Sequence, residues 1–207
     1  MKLLLRSLAR NESTVVSKQT LLKDISLENE NLLQSRNTIE DYLDLLLRLN
    51  IIYTQSPYSE NYRSQKRVGK SVKRYFIDTS LACTCLNLTT EKLMNDLRTF
   101  GLMFKSLVQR DLKIYMEYLN GNTYHFRDNT TGLKVDSILE FENGEYAMVE
   151  IKLGFNSVEV AKQNLVKLYK GMIKKPKFMC IIVGYTDVIA KDPETGIYIV
   201  PITALKP

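Results

Sequence analysis

Apolar residues recur at helical spacing through the first fifty positions. Leu3, Leu4, Leu5 and Leu8 predict a first helix, and Ser17 is a candidate cap for a second that runs through Ile25. Asn37 with Glu40 three residues later resembles a capping box opening a third helix. There Ile39, Tyr42, Leu43, Leu46 and Leu49 form one face, while Glu40, Asp41, Asp44 and Arg48 form the other. The β-branched and aromatic run IIYTQ, the Ser56-Pro57 turn and the run RYFID then predict two strands. Three helices followed by a hairpin is a winged-helix order.

The pattern stays helical from Thr89 to Leu119, with Gly101 as the expected break between two helices. On the second, Leu102, Val108, Leu112, Tyr115, Met116 and Leu119 make an inward stripe that also contains Lys105. A lysine there either snorkels from an apolar face or has a partner. Asn120-Gly121 ends the helix. Three strands are predicted next, NTYHFRD, one around Asp136 and one around Glu150, then a helix from about Ser157 to Ile173 and the strands FMCIIVGY and IYIVPI. The expected class is therefore α/β, or α+β over the whole chain.

Chemistry concentrates in KVDSILEFENGEYAMVEIKLG. Glu150 and Lys152 lie two apart on a strand, so both side chains leave one face. Asp136 joins them only in one hairpin register. A two-residue Asn143-Gly144 turn sets Asp136 across from Ile151, on the other face; a three-residue Glu142-Asn143-Gly144 loop with a left-handed Gly144 sets it across from Glu150. In that second register the two carboxylates form an oxygen-rich pair suited to Mg²⁺ or Mn²⁺, with Lys152 beside it to polarise a water or a phosphate. A surface hairpin with a cross-strand ion pair uses the same residue types. The apolar neighbours Val135, Ile138, Leu139, Val149, Ile151 and Leu153 favour a place inside a sheet.

Composition narrows the options. An apolar share of 44% over 207 residues suffices for one large or two small cores. A single histidine, His125, nearly excludes triad chemistry and histidine-rich metal sites, and Cys83, Cys85 and Cys180 fit neither a disulfide framework nor a zinc site. The three leucines before Arg6 are too short for a secretory segment and no run is long enough to cross a membrane, so the cytoplasm is the default expectation. The formal charge of +6 permits a polyanion partner. Two basic stretches stand out, namely Arg63, Lys66, Arg67, Lys70, Lys73 and Arg74 ahead of the second strand, and Lys162, Lys167 and Lys170 on the late helix. Both are candidates for non-specific contact with DNA phosphates. The acidic exposed face of the third helix opposes major-groove reading; a winged helix that packs on protein, with a solvated basic loop, is the other reading.

The order helix, three strands, helix, strand, with Asp136 on the second strand and Glu150-x-Lys152 on the third, resembles the PD-(D/E)xK restriction-endonuclease-like fold, αβββαβ. More narrowly, LLRSLARN, TIEDYLDLLLRLNII, KRYFIDTSLA, GLMFKSLVQRDL, YHFRDNTTGLKVDSILEF and AMVEIKLG resemble, in order, the C-terminal region of a family of bacterial and archaeal AAA+-type ATPases. In that family a winged helix precedes a nuclease-like domain of unknown function, numbered four-one-four-three. The resemblance implies a winged-helix-like module over 1–78, a helical linker over 79–100 and a nuclease-like domain over 101–207. It further implies Asp136, Glu150 and Lys152 as the catalytic set, with Asp136 and Glu150 as ligands of Mg or Mn if the site is active, and an ATPase domain or partner. Lys105 stands where the family usually has a glutamate, which leaves two negative and two positive charges and implies a weakened or inactive site. No GxxxxGK[ST] phosphate loop occurs, so ATPase activity is not expected of this chain.

Overall fold

The computed structural model describes residues 1–28, 36–64, 72–128, 130–186 and 188–206, without the side chains of 27, 28 and 36. It is a mixed α/β structure whose chain divides into two compact units, Met1–Gln55 with Lys70–Leu107 and Ser56–Gly69 with Val108–Pro207.

The first unit opens with α1 (Lys2–Arg10), α2 (Lys18–Glu28) and α3 (Arg36–Arg48), followed by the antiparallel strands β1 (Ile52–Gln55) and β2 (Lys73–Phe76). Leu4, Leu8, Leu21, Ile25, Ile39, Leu43, Leu46, Ile52 and Phe76 close its core, drawn from the apolar faces seen in the sequence. Ser17 caps α2 as expected, its hydroxyl accepting from the Thr20 amide at 3.0 Å. The Asn37–Glu40 box does not open α3: the helix already includes Arg36, and Glu40 pairs with Lys18 at 2.8 Å. Two short helices, α4 (Thr79–Cys85) and α5 (Thr90–Asn95), lead to α6 (Leu97–Tyr118). The helical break falls at Asp96 and not at Gly101, which lies inside α6. Asp96 accepts from the Thr99 amide at 3.0 Å and from its hydroxyl at 2.6 Å. That cap outweighs the roughly 1 kcal/mol penalty of a mid-helix glycine.

The second unit is built on a six-stranded mixed sheet. Its strands are β3 (Asn122–Arg127), β4 (Lys134–Glu140), β5 (Tyr146–Lys152), β6 (Phe178–Val183), β7 (Ala190–Lys191) and β8 (Tyr198–Pro201), in spatial order β3-β4-β5-β6-β8-β7. The β3, β4 and β5 neighbours are antiparallel; β6 joins β5 in parallel after the crossover helix α7 (Val158–Gly171). Val158, Ala161, Leu165 and Leu168 of α7 share one core with Ile138, Tyr146, Met148 and Ile181 of the sheet. Burial of β5 on both faces explains its near-continuous apolar sequence.

The β1–β2 connection contributes to this second unit. Tyr58 is buried in its core with ring centroids 5.3 Å from Tyr146 and 6.0 Å from Tyr124. Its amide donates to the His125 carbonyl at 2.7 Å, and the His125 amide donates to Ser56 at 3.0 Å, which covers the outer edge of β3. The Glu60 carboxylate then accepts from the amides of Ile173 and Lys174 at 3.3 and 2.8 Å. The sequence offered only the Ser56-Pro57 turn at this point and gave no sign of the aromatic anchor.

Candidate functional site

The hairpin between β4 and β5 adopts the three-residue register. The Phe141 amide donates to the Glu145 carbonyl at 2.8 Å, the Gly144 amide to the Phe141 carbonyl at 2.9 Å, and Gly144 has φ +74°. The left-handed position is the one a glycine takes without steric cost. The ladder runs from Glu140↔Tyr146 to Ser137↔Val149, and the same register continued by one step would set Asp136 opposite Glu150. By strand alternation Asp136, Glu150 and Lys152 share the face of Ile138, Tyr146 and Met148.

Beyond Ser137 the pairing changes character. The next β5 amide that an antiparallel ladder would bond to main chain belongs to Ile151, and it donates to the Asp136 carboxylate at 3.1 Å. Asp136 is buried and spends one oxygen on that bond. Glu150 is 3% exposed and its carboxylate accepts from Lys152 at 2.8 Å. Burial pulls the Lys152 ammonium down, but Glu150 and then Asp136 hold it above the ordinary lysine range. The unit therefore brings Asp136, Glu150 and Lys152 together as a compact cluster in which Lys152 offsets one of the two carboxylate charges.

Oxygen donors of this kind have the right chemistry for Mg²⁺ or Mn²⁺. Glu150 is already paired with Lys152 and no group of three Asp, Glu, His or Cys side chains gathers among the described residues, so an ion here would compete with that ammonium and complete its shell with water or substrate oxygens. Lys105 is half-buried on α6 and falls in the first unit.

The basic stretches separate on inspection. Arg63 is exposed, whereas Lys66, Arg67 and Lys70 lie outside the described residues. Lys73 and Arg74 belong to β2: Lys73 is buried, and Arg74 donates to the Val16 carbonyl at 3.1 Å, with burial holding its guanidinium below the usual range. These two are part of the first unit's framework and not of a free loop. On α7, Lys162 is engaged by Glu159 at 2.7 Å and Asp192 at 2.8 Å, which raises its pKa. Lys167 and Lys170 remain exposed.

Two polar residues escaped the sequence reading. The Ser137 hydroxyl and both amide atoms of Gln109 are buried with no hydrogen-bond partner among the described residues. An unpaired buried polar group costs about 1–3 kcal/mol, so these are the places in the second unit where a bound polar group would be satisfied. A glutamine at helical spacing from Leu112 and Met116 was the available signal.

Comparison with known proteins adds little to this chemistry. Residues 1–92, under half of the chain, match a family described as a domain of unknown function (DUF8612). A solved assembly of Thermococcus gammatolerans McrB AAA+ hexamers with bound McrC matches 96% of this chain and 70% of that one, at 12% identity and a TM-score of 0.31. That is too slight a likeness to argue from. Among curated proteins, none matches. No helix among the described residues is long and apolar enough to cross a membrane.

Proposed function

We propose that this chain is a nuclease-like, DNA-binding module that serves an AAA+-type ATPase and cleaves DNA weakly or not at all. The element order supports the reading: three helices and a two-stranded sheet suit a winged-helix-like module over 1–78, a helical linker follows over 79–100, and the α6-to-β6 order suits a PD-(D/E)xK-like domain over 101–207. In this reading Ser56–Gly69 of the wing contributes to the second unit. The ATPase association rests on the ordered motifs of the sequence alone.

The observation that carries the non-catalytic part is the Lys152–Glu150 pair. A buried carboxylate that already holds an ammonium gives it up to a cation only at the cost of that pair, which opposes ligation. DNA contact then falls to Arg63, Lys66, Arg67, Lys70, Lys167 and Lys170 as sequence-indifferent phosphate binding.

The second reading, a metal-dependent DNA endonuclease with Asp136 and Glu150 as ligands and Lys152 positioning water or phosphate, draws support from the hairpin register that faces the two acids. Titration calorimetry of Mn²⁺ with Asp136→Ala as control, beside plasmid nicking in the same buffer, separates the two. Heat no larger than the control and no nicking fit the proposal; Asp136-dependent binding with nicking moves the enzyme reading to first place.

A further inference from the structure

The carboxyl ends of β5 and β6 expose two aromatic rings beside the acid–lysine cluster. The parallel register sets Lys152 beside Val183, and the Gly184 amide donates to the Lys152 carbonyl at 3.1 Å. Tyr185 therefore leaves the sheet next to Lys152, and Phe155 follows Lys152 by three residues. Tyr185 is 87% exposed and Phe155 57%. Scattered exposed apolar residues are ordinary. Here two exposed aromatics follow the same end of neighbouring parallel strands, and Val160 on the first turn of α7 and Val188 and Ile189 after Tyr185 are exposed as well.

From that end an exposed stripe runs along α7. Val160, Gln163, Lys167 and Lys170 are spaced three, four and three apart, so they lie on one face, opposite the buried Ala161, Leu165 and Leu168. Ten residues of helix make the stripe about 15 Å long. Lys162 is off it, held by Glu159 and Asp192, while the ammonium groups of Lys167 and Lys170 have no hydrogen-bond or ion-pair partner among the described residues, the Lys170 carbonyl accepting from Lys175 at 3.4 Å. The surface thus passes from flat rings to unpaired positive charge.

We infer that this rim and stripe bind single-stranded nucleic acid, with bases stacked on Phe155 and Tyr185 and the backbone running along Lys167 and Lys170. The inference rests on the nucleic-acid-binding reading above and narrows its ligand. A polyanion suits the unpaired lysines and the +6 charge. A single strand also offers the face of each base, which a duplex keeps inside its own stack. Asp136 and Glu150 are buried, and Lys152 offsets one of their charges, which weakens their repulsion of a strand at the rim.

The test is fluorescence anisotropy of a short labelled DNA strand of mixed sequence, and of its blunt duplex, with the intact chain. The strand is expected to bind more tightly than the duplex. Phe155→Ser and Tyr185→Ser should each weaken strand binding about tenfold while leaving duplex binding and the circular dichroism spectrum unchanged. Lys167→Ser with Lys170→Ser should flatten the salt slope for the strand by about 1.4. Equal affinity for both DNAs, with inert aromatic variants and a flattened slope in the lysine variant, overturns stacking and leaves general nucleic-acid binding in place. No binding of either DNA overturns both. If self-association on size exclusion is then abolished by the aromatic double variant, the rim is a protein interface.

Discussion

Lys152→Met is the sharpest perturbation of the cluster, because it removes the ammonium and keeps most of the side chain's length. The Glu150 side chain is 4% exposed and that of Lys152 21%, so the pair is screened far less than a surface ion pair. Breaking one side of a buried pair costs about 3–5 kcal/mol. The residual exposure of Lys152 sets the expectation at about 3 kcal/mol, the low end of that range. The loss carries a pH signature. Without the ammonium, burial raises the folded-state pKa of Glu150 above its unfolded value of about 4.3. The native state then binds the extra proton, so the penalty is absent below the unfolded pKa and grows as pH rises through the new folded value. Urea unfolding followed by circular dichroism at about pH 4.5 and about pH 8 should show the gap from the native chain widening toward the higher pH. Glu150→Gln with Lys152→Met should recover most of the loss, since the uncompensated charge is gone. A cost under about 1 kcal/mol that does not vary with pH would match an exposed pair and refute the reasoning.

Three further outcomes follow from the same geometry. Glu12 is buried, with its carboxylate accepting from Ser106 at 2.6 Å and from the Phe76 amide at 3.2 Å, and burial lifts its pKa to about 7 against those bonds. The native state thus holds a proton that the unfolded chain has lost; stability should fall by about 3 kcal/mol as pH rises from about 4.5 to about 7, and Glu12→Gln should remove that fall in urea titrations across the window. Tyr58→Ala should cost about 3–5 kcal/mol by leaving a ring-sized cavity in the second unit's core, whereas Tyr58→Phe should be mild in the same denaturation assay. Gly144→Ala should cost about 1–2 kcal/mol, since φ is +74° and the added carbon would stand 3.1 Å from the Tyr62 hydroxyl; an unchanged unfolding midpoint would argue against the three-residue loop.

The second unit was legible where one local rule decided the outcome. The hairpin itself was legible, while its register stayed open between two, and the three-residue loop with Gly144 at φ +74° is the one present. The late helix and β6 followed from their periodicity. What stayed hidden depended on contacts between residues distant in sequence. Tyr58 anchors its segment through His125, Tyr124 and Tyr146, and Glu60 through the backbone of Ile173 and Lys174. Composition alone made that stretch a loop. The two-residue β7, Ala190–Lys191, is too short to carry a periodic signal. Among the basic residues, charge could not distinguish the framework roles of Lys73, Arg74 and Lys162 from the exposed Arg63, Lys167 and Lys170, because the difference lies in which strand or carboxylate each one meets.

On the proposed reading Lys152 occupies Glu150, and the acid pair does not recruit a divalent cation to cut DNA. Calorimetric titration of Mn²⁺ into the intact chain, with Asp136→Ala run beside it, addresses that claim most directly. Superimposable traces at the level of weak, non-specific heat are expected. Saturable binding in the native chain that Asp136→Ala abolishes would contradict that reading.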